Sequence, residues 1–490
     1  MQRQDRRYEN LVNRIKSNDL SLGERRVDYG SGSVTIFYVK QLTDRLALSE
    51  LVIKPLTEYK KDQALKASDA AGIIFADDCL VEKDENKAEQ HILNGMAVVL
   101  FSGDSEYIVV NLKKVEKRNT TEPVMAYTIR GPRDALVENI DSNLSLIRYR
   151  LKDTSLRIDM MEVGKRNKTA VAVIYFEDIA NDTCVNEVKK RIGAINIDGI
   201  SSSGVLQAFM LNNKANLFPQ MGIIERSDMA CEALLEGKVV IIMDGDPWAL
   251  VAPKVFSEYL WACDDFYLNK YIGTFLRILR VIALNLSFIV SALYVAVVSY
   301  HNDVLPGEYM IAIAQAREKV PFTALIEVLL IEVIAELIRE SLIRVPSKIG
   351  TAIGIVGAII IGQAAVSAGV FSPLLLIVIS MSLISSFVPA DYTIVDPFRV
   401  LKFLLIIATG FFGFYGFTLV IMFVIAQLVS LNTFGVPYLS PLAPFNRKDF
   451  AKSAVFSKTM AATRPSFLRT KDNTRAPAKK PGDKGGNKQQ

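Results

Sequence analysis

Three glutamates, Glu327, Glu332 and Glu336, interrupt an otherwise apolar stretch, VPFTALIEVLLIEVIAELI (320–338). Carboxylates in such a setting relay protons, line ion paths or pair with buried cations. On insertion scales three central carboxylates cost roughly 8–10 kcal/mol, and the Leu, Ile, Val and Phe residues around them return roughly 3–7 kcal/mol. The segment therefore either lies at an interface with a solvated acidic face or crosses while packed on partners. Glu332, Glu336 and Glu340 follow one another at i, i+4 and share a face. That stripe suits an ion path or a pairing across a subunit contact.

A second candidate lies in IGTAIGIVGAIIIGQAAVSAG (349–369). Gly350, Gly354, Ala358, Gly362, Ala365 and Gly369 step by four or three and form a stripe of small residues. Small residues let helices approach closely in lipid, where packing replaces the hydrophobic effect. Gln363 sits beside that stripe, and an unpaired amide in hydrocarbon is costly. Ile359, Gln363, Val366 and Val370 share a face at helical spacing. If that face lines a pore, its apolar rings gate by dewetting; the plainer reading is helix packing with Gln363 bonded to a neighbour.

Other chemistry is thin. His91 and His301 are the only histidines, too few for a histidine-rich metal site or a His-based triad. Cys79, Cys184, Cys231 and Cys263 form no CxxC, which suits a reducing compartment. There is no Walker loop, no strand–GxGxxG–helix and no G-x-S-x-G. Asp244 and Asp246 in DGDPW read as a hairpin turn before they read as a cation site. No enzyme activity, cofactor or metal is expected.

These residues are carried by a chain of two solvents. The first 280 or so of the 490 residues are those of an ordinary soluble protein, and 281–431 is mostly apolar. Residues 446–490 then carry twelve Lys/Arg against three Asp/Glu, so the overall net charge of +5 hides an acidic remainder. A basic tail beside a membrane marks the cytoplasmic side and attracts anionic headgroups, so nucleic acid is not an expected partner. The first residues, MQRQDRRYENLVNRIK, lack an apolar stretch, so no cleaved leader is expected.

Residues 1–30 read as a basic flexible arm. Strands are expected at 33–39, 70–77 and in the hairpin 95–113, with a helix ending near Pro55 and another over 131–152 opened by Gly131 and Pro132. A second unit brings strands at 156–164 and 168–178, helices in NDTCVNEVKKRIGAI and ERSDMACEALLEG, and two strands around Asp244–Pro247. The expected fold is thus an α/β cytoplasmic domain of two subdomains, 31–135 and 136–265, then an all-α polytopic membrane domain, 266–435. A post-membrane segment and basic disordered tail, 436–490, complete the chain.

Apolar spans are expected at 281–299, 320–338, 349–369 and 372–389. Arg277 and Arg280 before the first place its start in the cytoplasm. The run 401–431 is too long for one untilted helix, and Gly410, Gly413 and Gly416 are placed to break it into a hairpin. A single span there puts the basic tail outside; a hairpin keeps it inside.

GVPYLSPLAPF (435–445) and IVGAIIIGQAAVSAGVFSP (355–373) closely resemble signatures of the A subunits of spore germination receptors, the GerA family. The resemblance extends in order through RGPRDALVENIDSNLSLIRYRLKDTSLRI (130–158), AINIDGI (194–200), DGDPWALVAP (244–253) and AREKVPFTALIEVLLIEVIAELIRE (316–340). It implies a nutrient germinant receptor subunit in the spore inner membrane. It also implies a transporter-like B subunit and a lipoprotein C subunit as partners, and a homo-oligomeric ring, expected to be a pentamer, that passes ions. Gln363 and Val366 fall within the family's GQAAV element, which favours them as pore or gate residues. A secondary transporter and a non-conducting assembly subunit are the competing readings; 281–431 shows no repeated halves of the kind transporters carry.

Overall fold

A computed structural model describes residues 22–29, 32–59, 65–102, 104, 106–113, 131–211, 216–262, 264–265, 268–344, 360–454 and 463–475. The chain divides into two compact units. The first comprises residues 1–214, 221–253 and 462–490; the second comprises 215–220 and 254–461.

The first unit holds two five-stranded sheets. In one, β1 (Leu22–Tyr29), β2 (Gly32–Val39), β3 (Cys79–Glu82), β4 (Ala97–Phe101) and β5 (Tyr107–Val110) lie in the order β1-β2-β4-β5-β3. In the other, β6 (Leu156–Val163), β7 (Thr169–Phe176), β8 (Gly222–Ile224), β9 (Val239–Met243) and β10 (Ala249–Ala252) lie in the order β6-β7-β9-β10-β8. Every pairing is antiparallel. The two orders are the same arrangement twice, a duplication that strand-by-strand reading did not reveal. The central strands β4 and β9 are buried throughout. Val34, Ile36, Val99 and Phe101 pack on one side, and Phe37, Val39, Val98 and Leu100 on the other. Two covered faces make these strands read as unbroken apolar runs rather than alternating ones.

Local chemistry corrects several expected boundaries. Leu22–Tyr29, expected within a flexible arm, pairs with β2 from Leu22↔Val39 to Tyr29↔Gly32. The helical run α1 does not stop at Pro55: Arg45–Ala47 passes through a π-turn, Leu48–Ile53, into Lys54–Glu58. The wider turn, in which the Lys54 N–H bonds Ser49 O, accommodates a proline that lacks a donor. Residues 70–77 form no strand; α2 (Ala67–Ala70) ends there, with Asp104 Oδ2 accepting from Ala67 N at 2.9 Å. The helix expected from Gly131 begins later, as α4 (Ile140–Arg150), because the Asn139 side chain caps Ser142 N at 2.9 Å. Between α1 and α4, α3 (Glu85–Leu93) precedes the β4–β5 hairpin. The second subdomain adds α5 (Asp182–Gly193), α6 (Ser203–Met210) and α7 (Ser227–Leu235). Of these, α6 was not expected.

The tail also departs from expectation. Thr463–Arg475 is ordered and belongs to the first unit, where Arg464 Nε donates to Leu235 O at 2.8 Å.

Among the described residues the second unit is helical, with only a two-residue strand pair, Asn432–Thr433 with Val436–Pro437. It contains α8 (Lys270–Ser299), α9 (Gly307–Arg317), α10 (Ala324–Arg344), a short α11 (π-turn Ile360–Ala364 and Ala365–Ser367), α12 (Pro373–Ser385) and the segment Val395–Ser430. Segment 270–299 and the run ending at Ser430 are long and apolar enough to cross a membrane. The latter breaks at Gly413, with φ 59° and ψ −143°. A Cβ on Gly416 would lie 2.1 Å from Ala408 O, although eight helical residues span about 12 Å. The chain therefore doubles back. Gly413 sits against Tyr300 and His301 at the end of α8. At the opposite end, Phe398 and Tyr438 both come to Phe256, with ring centroids 6.4 and 6.2 Å away. The arms 395–412 (α13) and 414–430 (α14) are each roughly 26 Å long. Phe218, Phe288, Leu375, Leu405, Val424 and Tyr438 belong to one core that fills this unit.

Candidate functional site

Helix α10 turns Glu327, Glu332 and Glu336 inward, and each carboxylate meets a cation of the same chain. Midway along the unit, Glu332 is 2 % exposed and its Oε2 lies 2.6 Å from Lys402 Nζ on α13. Ser291 Oγ of α8 donates to Glu332 Oε1 at 2.6 Å. Lys402 also reaches Ser382 Oγ on α12 at 3.4 Å, and Ser382 Oγ donates to Ser287 O at 2.9 Å. Four helices thus contribute to one buried polar cluster. Its opposed charges and hydrogen bonds are what make an ion pair tolerable away from water.

One turn toward the Phe398 end, Glu336 accepts from the Arg399 guanidinium, whose Nε–Oε2 distance is 3.2 Å. Arg399 Nη1 also donates to Asp396 Oδ1 at 2.7 Å. Arg339 Nη1 stands 3.4 Å from Glu336 Oε1 while its Nη2 donates to Ser386 Oγ at 3.0 Å. At the Tyr300 end, Glu327 is fully buried and its Oε1 accepts from Ser372 N, the N-cap of α12, at 2.6 Å. Arg317 Nη2 lies 3.4 Å from Glu327 Oε2, and Tyr294 OH is 3.2 Å from Ser372 Oγ. The α10 carboxylates form a ladder of three rungs.

Glu340 does not join it. A four-residue step advances about 40° around a helix, so the face drifts, and Glu340 is exposed. The three-residue step from Glu336 brings Arg339 back toward the Glu332 side, whereas Glu327 lies about 140° round the helix from Glu332 and is buried against Ser372 and Arg317 instead. The cations Arg399, Lys402 and Arg317 were absent from the sequence-level candidates. Their signal was there: Arg399 and Lys402, three apart beside an apolar run, complement Glu336 and Glu332, four apart on an antiparallel neighbour.

The glycine-striped segment is only partly described. Ile359, Gly350, Gly354 and Ala358 lie outside the described residues. Gln363 is exposed in the single chain, and Val366 and Val370 are half-buried, with Ala365 and Val370 packed against the core. A Cβ on Gly362 would meet nothing within 4 Å. Gly369 has φ +71°; its N–H bonds Val366 O at 2.9 Å and the Val370 N–H bonds Ala365 O at 2.9 Å. That is a Schellman ending, so Gly369 terminates α11, with Lys319 Cβ against it.

In the first unit Asp244 and Asp246 are spent on backbone donors. Asp244 Oδ1 accepts from Ile140 N at 3.2 Å, and Asp246 accepts from Ser203 N at 2.5 Å and Trp248 N at 3.0 Å. Asp134 is held by Arg150 at 2.6 and 2.7 Å and by Ser227 Oγ. Burial raises its carboxyl, but the bonds from Arg150 and Ser227 and the Arg150 charge outweigh that and hold it below the usual carboxylate range.

Comparison with known proteins yields consistent matches. A family model described as Bacillus/Clostridium GerA spore germination protein matches residues 8–467. Spore germination protein KA of Bacillus subtilis (strain 168) is 34% identical over 451 residues, covering 90% of this chain and 82% of that protein. Spore germination protein GerLA of Bacillus cereus is 35% identical over 465 residues, covering 94% of each. The crystal structure of the N-terminal domain of the A subunit of the Bacillus megaterium spore germinant receptor GerK3 aligns at 24% identity and TM-score 0.39, covering 51% of this chain and 94% of that one.

Proposed function

This chain belongs to the family of Bacillus/Clostridium GerA spore germination proteins, and from that premise we propose that it is the A subunit of a nutrient germinant receptor in the spore inner membrane. It acts there with a transporter-like B subunit and a lipoprotein C subunit. Copies of the chain assemble into a ring, taken to be a pentamer, whose helices around Gln363 and Val366 form an ion conduit. Nutrient binding favours an open arrangement of that ring, and differential affinity for the two arrangements moves the population.

The observation that carries this reading is the contrast between two polar features of the helical unit. Glu327, Glu332 and Glu336 of α10 are each paired within the chain, whereas Gln363 is exposed. An amide left open in an apolar setting needs water or protein beside it. A ring of copies supplies both, with Val366 one turn away as the constriction. The Gly413 hairpin and the return of Thr463–Arg475 to the first unit support an even number of crossings, with the tail in the cytoplasm beside the N-terminal domain.

Purified complexes in liposomes test the conduit. Val366→Ala is expected to raise basal cation flux in vesicles without germinant, and unchanged flux in assembled complexes counts against the gate. A second reading is a non-conducting scaffold subunit, in which the glutamate pairs hold the helical unit in the shape its partners dock on. In that case Val366→Ala leaves the flux of assembled complexes unchanged.

A further inference from the structure

The tail segment that was expected to be solvated is instead a compact strap. Thr463 and Thr474 form an antiparallel bridge that closes it. Arg464, 8 % exposed, organises it from inside: its N–H bonds Asn473 O at 2.8 Å, and its Nη1 donates to Asp472 O at 2.9 Å and Thr474 O at 2.8 Å. The same guanidinium donates from Nε to Leu235 O at 2.8 Å. Leu235 is the last residue of α7, so a buried cation sits on the negative end of that helix.

The receiving surface belongs to the second subdomain and is shaped for the strap. Lys471 N donates to Ile179 O at 2.9 Å, and its Nζ reaches Glu177 O at 3.0 Å and Asp182 at 2.6 Å. Arg475 Nη2 donates to Glu232 Oε1 at 2.7 Å, and Leu468 is buried. Gly237, at φ +92°, lies so close beneath Thr470 that a Cβ there would stand 2.4 Å from Thr470 Cγ2. These contacts come from both ends of the strap and from its centre. A basic segment merely attracted to an acidic surface would not need a glycine floor or a helix-end cap.

The subdomain that holds the strap is also the one from which the chain leaves, through β10 and Pro253, to build the helical unit. The helical unit's exit, after α15 (Arg447–Ala454), leads back to the strap. One subdomain therefore grips the chain on entry and on exit. We propose that the Thr463–Arg475 strap is a releasable tether by which the second subdomain restrains the exit end of the helical unit, and that its docking sets the threshold of the receptor's response. The threshold part rests on the receptor reading above.

Limited trypsin digestion of the full chain in detergent tests the docking. Cleavage after Lys471 and Arg475 is expected to be slow in the native chain and about tenfold or more faster in Arg464→Ala, because cleavage follows the population of the opened strap. Equal rates in the two proteins overturn docking. Should Arg464→Ala prove poorly folded, Arg475→Glu provides the milder release, read by cleavage after Lys471 because trypsin no longer cuts at 475; adding Glu232→Arg is expected to restore protection at Lys471, and a swap that restores nothing there overturns the assigned contact. Spores carrying a variant whose strap is shown released are expected to shift their half-maximal germinant concentration severalfold, and an unshifted response overturns the tether. A native chain that restores no nutrient response to spores lacking other receptors overturns the receptor reading instead, and leaves the digestion result standing.

Discussion

Lys402 and Glu332, seventy positions apart, meet at 2.6 Å in the interior of the helical unit, with both side chains almost completely buried. Each removes the cost of burying the other, and Ser291 and Ser382 take up remaining hydrogen-bonding capacity. The pair joins α10 to α13 where both side chains are shut away from solvent.

Breaking that pair from one side is therefore expected to be severe. Lys402→Met leaves the Glu332 carboxylate without its cation, a loss of about 3–5 kcal/mol. Replacing both partners, Glu332→Leu with Lys402→Met, removes the buried charge altogether and is expected to recover most of the loss. Thermal denaturation of the detergent-solubilised chain separates the two cases. Equal destabilisation by the single and the double variant would mean that the pair contributes through its shape alone.

In the first unit, acid sensitivity is expected to pass through Asp134. Its folded pKa lies below its unfolded value of about 3.9. The stabilisation is thus complete above the unfolded pKa and is lost as pH falls through the folded one. Asp134→Asn is expected to cost about 1–2 kcal/mol at neutral pH, with the difference from the native chain shrinking as the pH falls below the unfolded pKa. Urea denaturation across that range measures it; a difference that grows on acidification would reverse the assigned sign.

Asp246 separates a structural turn from a cation site. Its oxygens are occupied by Ser203 N and Trp248 N. Asp246→Ala is expected to cost about 1–2 kcal/mol, the usual value of a lost helix cap, and Asp246→Asn less because an acceptor remains. Calcium should leave the melting temperature of native and variant chains alike. Calcium stabilisation of the native chain that Asp246→Ala removes would show the carboxylate to be a ligand.

How far the sequence revealed these features depended on how local their causes are. The β4–β5 and β9–β10 hairpins, and α5 with its Asn181 cap, follow from neighbours a few positions apart. The start of α4 was missed because Pro132 is a plausible opener and only the Asn139 cap decides otherwise. Glu327, Glu332 and Glu336 stood out by composition, but their partners Arg317, Lys402 and Arg399 did not, since nothing local says which buried acid a distant cation will meet. The repeated strand order and the strap are likewise long-range facts. Arg464 lies in a stretch whose charge resembles that of any solvated tail, yet it is buried against Leu235.

The glycines of the last apolar segment give the sharpest test of its path. In a straight helix, Gly→Ala is mildly stabilising, because alanine is the better helix former. Gly413 instead adopts φ 59° and ψ −143°, a region essentially reserved for glycine, with Tyr300 and His301 packed against it. Gly413→Ala is therefore expected to destabilise the helical unit by about 1–3 kcal/mol. Gly410 offers an internal control. A Cβ there meets the side-chain end of Leu325, which can rotate away, and no unusual backbone is required. Gly410→Ala is expected to cost less than Gly413→Ala when the two are melted side by side in detergent. Stabilisation by Gly413→Ala would mean one continuous rod through 395–430 in place of the reversal, and with it an odd number of crossings.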